Sequence, residues 1–377
     1  MWLRSLQLTG YRNYEQLSAE FPAGPVLIIG ENGEGKTNLV EAIGYLSTLE
    51  SHRVSGYQAL IQKHQVSSQL SAKVSHQGRD LMVGIELNKD SPNRFFLNGS
   101  QRKKTAEIIG LIRTVTFAPE DLDLIRRDPS DRRAFMDSSL VQLKPRLAGV
   151  KSDYDRVLKQ RNALLKSARS VKNPDLGTLD IWDDQLVALG TELTIERLNL
   201  VAQLEPLIKD FYAKLSASKE EVRLRLVSAV GAEDGENFAD IESDAKAYSN
   251  DFYQRLETLR DREIERGITL AGPHRDELVI EKAGLLAKSH ASQGEAWSLA
   301  LGLKLALGSV SRKNSDLGDP ILLLDDVFAV LDKGRRQRLL EFVTDYEQVF
   351  ITAADQAMAP QLDWAAELSV SKGVLDA

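Results

Sequence analysis

Apolar and polar positions change their rhythm twice along the chain. Up to about Glu120, short stretches at 3–8, 70–74, 81–87 and 94–97 alternate apolar and polar side chains. A period of two sends one face of a strand toward a core and the other toward water. Residues 26–29 are instead continuously apolar, as in a strand covered on both faces. From about Glu120 to Gly267 the period lengthens: Trp182, Leu186, Leu189 and Leu193 recur at spacings of four, three and four, and Leu200, Leu204, Leu207 and Phe211 repeat that rhythm. This spacing predicts long helices over 137–170, 177–216 and 237–266, packed as an antiparallel arm or short coiled-coil bundle. A strand pair around 222–227 and 278–281 brackets part of it. After Gly284 the α/β character returns, with a helix from Gly294, a strand at 321–324, another helix and a strand at 349–352. The pattern thus predicts a mixed α/β head in two parts, 1–120 and 285–377, with a helical domain inserted at 121–284.

Turn chemistry between these elements supplies a first candidate site. The apolar run ending at Ile29 leads into Gly30-Glu31-Asn32-Gly33-Glu34-Gly35-Lys36-Thr37, and a helical pattern opens at Asn38. This fits the phosphate-loop pattern G-x-x-x-x-G-K-S/T in its required strand–loop–helix setting. Glycines let successive backbone N–H groups wrap a polyphosphate at the positive end of the new helix. Lys36 would neutralise the β- and γ-phosphates, and the Thr37 hydroxyl would hold Mg²⁺. The second candidate lies near the C-terminus, where Ile321-Leu322-Leu323-Leu324 is followed by Asp325-Asp326. At the end of a buried parallel strand, Asp325 would reach the Mg²⁺ shell, and Asp326 would orient or deprotonate the attacking water. Between them, Ser292-Gln293-Gly294-Glu295 opens a helix with apolar residues at 296, 299, 303 and 307. Taken alone, this segment suits an anion site and an N-cap with a capping box equally well.

Composition fits a globular chain: 377 residues, 42% hydrophobic and 27% charged, which is enough for two or three domains. The absence of cysteine excludes disulfides, thiolate metal sites and cysteine nucleophiles together. The first residues alternate like a strand, without the apolar core of a signal peptide. No stretch approaches the length of a membrane span, so the cytoplasm is the expected compartment. Net charge is −7, which argues against nucleic acid until its distribution is considered. Residues 101–173 hold 17 Lys and Arg against 9 Asp and Glu. A basic segment in an acidic chain is the footprint of a phosphate-backbone contact or of a solvated helical face. The candidates for DNA contact are Arg126, Arg127, Arg132, Arg133, Lys151, Arg156, Lys159 and Arg161, with internal ion pairing to Asp131, Asp137 or the head as the alternative for Arg132 and Arg133.

The order phosphate loop, long helical insertion, Ser-x-Gly helix and acidic strand resembles the ATP-binding-cassette (ABC) ATPases of the chromosome-maintenance type. Within that group the chain resembles the RecF family of bacterial DNA replication and repair proteins over essentially its full length. The matching residues begin with Leu8-Thr9-Gly10-Tyr11-Arg12-Asn13-Tyr14, Gly30 to Asn38, Glu41-Ala42-Ile43, Ser51-His52-Arg53 and Leu97-Asn98-Gly99. They continue through residues 117–122 and 131–137 to Gly272-Pro273-His274-Arg275-Asp276, Ser292 to Glu295 and Leu324-Asp325-Asp326-Val327. Three departures stand out. Glu295-Ala296-Trp297 replaces a Gln-Gln-Arg-like continuation, and Val330 precedes Leu331-Asp332 where Glu is usual. No histidine follows Thr352 at the switch position, which leaves Thr352 and Asp355 as candidates to stand in.

The resemblance implies an ABC-type ATPase head with an inserted helical arm. It also implies an ATP-dependent homodimer with two ATP molecules between the subunits. Arg12, Asn13 and Gly30 to Asn38 of one subunit, with Mg²⁺, would meet Ser292, Gln293, Gly294 and Glu295 of the other. It further implies weak, DNA-stimulated ATPase activity, binding at gaps or single-strand/double-strand junctions, RecR and RecO as partners in loading RecA, and support of SOS induction. Two rivals differ in visible features. A transporter ATPase would lack the motifs at Asn13 and Gly272–Asp276, and a structural chromosome organiser would need a far longer coiled coil.

Overall fold

The computed structural model describes all residues except 55, 170–176, 232–238, 241–243, 316 and 377. Backbone contacts divide the chain into two compact units. The first comprises residues 1–125, 207–220 and 291–377, and the second comprises 126–206 and 221–290.

The first unit holds two six-stranded sheets. One is antiparallel throughout, in the order Tyr14–Glu20, Trp2–Tyr11, Ser67–His76, Arg79–Asn88, Arg94–Leu97, Ser100–Arg102. Its alternating residues, among them Leu3, Leu6, Leu70, Ala72, Val83 and Ile85, form the buried face. The other has the order Val374–Asp376, Ala366–Ser371, Gly24–Ile29, Gln348–Ala353, Ile321–Leu324, Thr114–Phe117. Its strands are parallel except the edge strand Val374–Asp376. Helices Lys36–Thr48 and Gln293–Lys313 each bury most of their residues, as helices flanking a parallel sheet must. The short strand Ile321–Leu324 is buried throughout, which is why it reads as a continuous apolar run. Residues 207–220 fall in this unit rather than in the insertion because the end of the helix Leu179–Ser216 packs there. Ile208, Phe211 and Tyr212 lie against Gly302, and Phe211 stacks edge-on against Phe342 at 5.2 Å. That helix contains Pro206, and the division between units falls at the next peptide bond.

The second unit packs helices Leu147–Ala168, Leu179–Ser216 and Ala245–Arg266 around Tyr154, Val157, Leu186, Phe252 and Leu256. It also carries an antiparallel sheet of four strands: Ala239–Asp240, Val222–Ser228, Glu277–Lys282 and Leu285–Leu286. The single helix expected over 137–170 is two, Pro129–Leu143 and Leu147–Ala168. Pro145 separates them: it has no N–H, and it holds Lys144 before it at φ −134°, ψ 80°. The helix expected over 237–266 begins only at Ala245; positions 237, 238 and 241–243 lie outside the described residues, and 239–240 pair as a strand.

Candidate functional site

The phosphate loop joins the strand Gly24–Ile29 to the helix Lys36–Thr48, and its glycines are dictated by space. At Gly35, where φ is 128°, a Cβ would stand 2.7 Å from Asn13 Nδ2 and 3.0 Å from the Tyr14 hydroxyl. At Gly30 it would come within 2.4 Å of the Val370 carbonyl oxygen. Glu31, Asn32 and Gly33 form the exposed rim. Lys36 is 3% exposed, and its ammonium donates to the carbonyls of Gly30 at 2.6 Å and Glu31 at 3.2 Å, which fixes a cation inside the curve of the loop. The outer side is braced by side chains. Asn13 Nδ2 donates to the Glu34 carbonyl at 2.8 Å, and the Tyr14 hydroxyl donates to the Gly35 carbonyl at 3.0 Å. Asn38 Nδ2 donates to Asn13 Oδ1 at 2.7 Å, and Arg53 donates to Asn38 Oδ1 at 2.9 Å.

Beside Asn13, the Arg12 guanidinium donates twice to Glu41 on the helix that follows the loop, at 2.8 and 2.7 Å. Burial raises the Glu41 carboxyl, but the bonds from Arg12 and Ser51 and the charges of Arg12 and Arg53 outweigh it and hold the group below its ordinary range. Glu41, Ser51, Arg53 and Tyr14 thus brace the site, although the sequence marked them only as parts of matching motifs. The apolar periodicity of the helix hid Glu41, because a wholly buried glutamate occupies a core position.

The two acids arrive from the neighbouring parallel strand. Asp325 N donates to the Phe117 carbonyl at 2.9 Å, which anchors the end of Ile321–Leu324. Its side chain is 2% exposed and accepts from Thr352 Oγ at 2.8 Å. Burial pushes the Asp325 carboxyl up to about 6, with the charges of Asp326 and Glu120 adding and the hydroxyls of Thr352 and Thr37 opposing. Its bonding partners are therefore neutral and its neighbouring charges negative. That donor set suits a divalent cation shared with phosphate oxygens and water. Among the described residues no three His, Asp or Glu gather as a self-contained metal cage. Asp326 adopts φ 49°, and its N–H donates to Thr352 Oγ at 2.8 Å. The same hydroxyl stands 3.3 Å from Asp326 Oδ1, so Thr352 touches both acids. Asp355 instead accepts from the Met358 N–H in a turn of its own.

The raised Asp325 carboxyl contributes stability to the apo-protein that falls as pH rises. The proton is held more tightly in the folded chain, so the benefit is complete below about pH 4 and is lost as pH passes through about 6. In EDTA at pH 7.5, Asp325→Asn should therefore be more stable than the parent, by about 1–3 kcal/mol, with the gain vanishing near pH 4. Thermal melts across that range test this; an equal difference at every pH would refute it.

Ser292 caps the helix Gln293–Lys313. Its hydroxyl accepts from the Glu295 N–H at 3.4 Å, and Glu295 accepts from the Ser292 N–H at 2.8 Å, so the capping box is formed. Ser292 and Gln293 are exposed, so cap and outward-facing polar surface coexist in one segment.

The basic candidates in the second unit separate into two classes. Arg126, Arg127, Arg156 and Lys159 are exposed; Arg156 also pairs with Asp153 at 2.8 Å, and the half-buried Lys151 pairs with Asp155 at 2.8 Å. Arg133 is half-buried and donates to the Asp276 carbonyl at 2.8 Å. Arg132 and Arg161 depart from the expectation, because both are core cations. Arg132 is 4% exposed and grips Glu277 at 2.6 and 3.0 Å. Arg161 is wholly buried between Asp183 at 2.6 Å and Glu263 at 2.7 Å. The Gly272–Asp276 motif is likewise built into the core. A Cβ at Gly272, where φ is 123°, would meet Phe252 at 2.7 Å and the Tyr154 hydroxyl at 2.8 Å. Arg197 bridges Asp137 and the Pro273 carbonyl, the latter at 2.6 Å.

Known proteins share both this sequence pattern and this fold. Residues 2–374 match the family described as the RecF/RecN/SMC N-terminal domain. The chain is 46% identical over 370 residues to the DNA replication and repair protein RecF of Clavibacter sepedonicus, covering 94% of this chain and 90% of that one. It is 41% identical to RecF of Streptomyces avermitilis over the whole of both chains. Among solved structures, the recombination mediator RecF with ATP, of the RecFOR pathway, superimposes with a TM-score of 0.89 at 26% identity, covering 100% and 97% of the two chains. An Smc head domain from Pyrococcus furiosus shares the fold at a TM-score of 0.51 and 16% identity, covering 99% of this chain and 95% of that one.

Proposed function

The chain belongs to the RecF family of DNA replication and repair proteins, and we propose that it is an ATP-dependent DNA-binding protein whose nucleotide state controls its dimerisation. One observation carries the ATPase part: the strand that leads into the phosphate loop and the acidic strand lie on either side of Gln348–Ala353, both parallel to it, with Ile351 opposite Leu27 and Leu324, so the loop and Asp325 leave the sheet at the same edge. Two segments far apart in sequence thus build one site.

In this proposal the N–H groups of Gly30 to Thr37 receive the phosphates of ATP, and Lys36 exchanges its carbonyl partners for phosphate oxygens. Thr37 and Asp325 would hold Mg²⁺, which neutralises charge developing on the phosphates when bound. Asp326, kept in place by Thr352, orients the attacking water and takes its proton. An aspartate reaches less far than a glutamate would, so turnover is slow; its stimulation by DNA is what the family resemblance implies. Ser292 to Glu295 complete the site of a second copy, and hydrolysis times release. The DNA is a gap or a single-strand/double-strand junction, held through exposed cations such as Arg126, Arg127 and Lys159. RecO and RecR act beside it to load RecA, supporting SOS induction. The compartment is the cytoplasm, in keeping with the lack, among the described residues, of any helix long and apolar enough to cross a membrane.

Sedimentation with and without ATP, together with mobility shift of gapped DNA, tests this reading. Ser292→Arg should leave the ATP affinity of the monomer within about twofold and weaken ATP-induced dimerisation on the order of thirtyfold or more, through bulk and the absence of a hydroxyl at a γ-phosphate. It also removes the helix cap, worth about 1 kcal/mol. Ser292→Asp keeps the cap and repels phosphate, so it should block dimerisation without that cost. If both variants dimerise normally with ATP, the segment is a cap and nothing more.

A further inference from the structure

One side chain ties the start of the helix Gln293–Lys313 to the loop that follows the acidic strand. Arg335 lies in the first turn of the helix Lys333–Val343, which Asp332 caps. Its backbone N–H donates to Asp332 Oδ1 at 2.9 Å, and its Nη1 pairs with the same carboxylate. Its Nε donates to Ser298 Oγ at 3.0 Å, and Ser298 Oγ in turn donates to the Gly294 carbonyl at 3.0 Å. A Cβ on Gly294 would stand 2.9 Å from both Nη atoms and 3.0 Å from Cζ. Those near-equal distances place the guanidinium plane flat against Gly294, with no room for a side chain while Arg335 keeps its bonds. The group is about a quarter exposed, at 23%, so it lies at the surface that Ser292 and Asp332 also share.

We infer that Arg335 is a positioning residue for the composite site: it locks Ser292–Gly294 and Asp332 into one preorganised surface for a second copy of this chain. The inference rests on the dimer reading above. It also gives Gly294 an intramolecular reason to be glycine, separate from any approach of a nucleotide. A planar guanidinium can stack with its face while bonding through its edge, and a lysine ammonium cannot. Holding both segments in place before association removes part of the ordering entropy that association would otherwise incur.

The test uses the full chain with ATP. Arg335→Ala should leave monomer ATP affinity within about twofold and the nucleotide-free melting midpoint within about 4 °C, since a partly exposed pair contributes little to stability. The dimer dissociation constant should rise about tenfold. Arg335→Lys should behave like the alanine variant; recovery of wild-type dimerisation by lysine would show that charge suffices and would overturn the inference. Gly294→Ala should weaken dimerisation in the parent and add little in the Arg335→Ala background. Independent, multiplying effects would also overturn it, because the glycine would then serve the nucleotide alone. If the parent dimerises and Arg335→Ala does so equally, only the positioning role falls; if the parent stays monomeric with ATP, the dimer reading falls and takes this role with it.

Discussion

Replacing Lys36 with alanine is expected to lower ATP affinity about thirtyfold or more and to abolish ATP-induced dimerisation. Its ammonium is buried and lies within hydrogen-bonding distance of two loop carbonyls, so the loop already presents a desolvated cation where phosphates are proposed to enter. Removing a charge-assisted bond of this kind costs about 2–5 kcal/mol, and each 1.4 kcal/mol is a factor of ten. Asp326→Asn should behave oppositely. Asparagine tolerates the left-handed φ of 49° found there, and its N–H can still donate to Thr352, so the local backbone is preserved. What disappears is a proton acceptor needed only in the transition state, worth about 10²–10⁴-fold in rate. The variant should therefore bind ATP like the parent, hydrolyse it far more slowly and accumulate as the dimer. Calorimetric titration, single-turnover hydrolysis and sedimentation would measure the three quantities. Hydrolysis by Asp326→Asn at the parent rate would show that Asp326 does not act on the water.

Much of this site was legible in the chain because its parts are local. Gly30 to Thr37 is a contiguous segment whose glycines answer to backbone geometry, and the strand Ile321–Leu324 ends in acids with little ambiguity. The bracing groups were less legible because their partners are remote in sequence. Glu41 meets Arg12 from 29 positions away, and Asn13 meets Glu34 from 21. Thr352 could be named as a candidate but not chosen, because touching both acids depends on the register of two parallel strands, with Leu324 opposite Ile351. The strand Tyr14–Glu20 went unread because its tight connection leaves no apolar run of its own. Arg161 could have been placed correctly. Tyr154, Val157, Arg161, Leu165 and Ala168 fall at helical spacing, and all five are buried. Reading the cations as a charge run hid the fact that one of them occupies the apolar stripe.

Because Arg161 is a core cation, its removal should have the second large effect. Arg161→Ala should destabilise the second unit by about 3–5 kcal/mol, because it takes away the cation between two buried carboxylates and leaves charge without compensation. Asp183 would retain Arg260 at 2.8 Å, but Glu263 is fully buried and would keep the Leu270 N–H in place of a cation. Burial already raises the Glu263 carboxyl with Arg161 present, so without it the group should take up a proton at still higher pH. A destabilisation of that size is a large share of a typical domain's 5–15 kcal/mol, roughly. Reversing the exposed charges Arg126 and Lys159 should instead leave the melting curve nearly unchanged, since surface substitutions away from such networks shift stability by about 0.5 kcal/mol or less. In DNA binding those variants should reduce the slope of log affinity against log salt by about 0.9 for each phosphate no longer engaged, equally for all sequences. Denaturant unfolding and salt-dependent binding to gapped DNA separate the two classes. If Arg161→Ala unfolds like the parent while its salt slope flattens, Arg161 binds phosphate after all. If the exposed variants bind gapped DNA with an unchanged slope, the DNA runs over a different face of the protein.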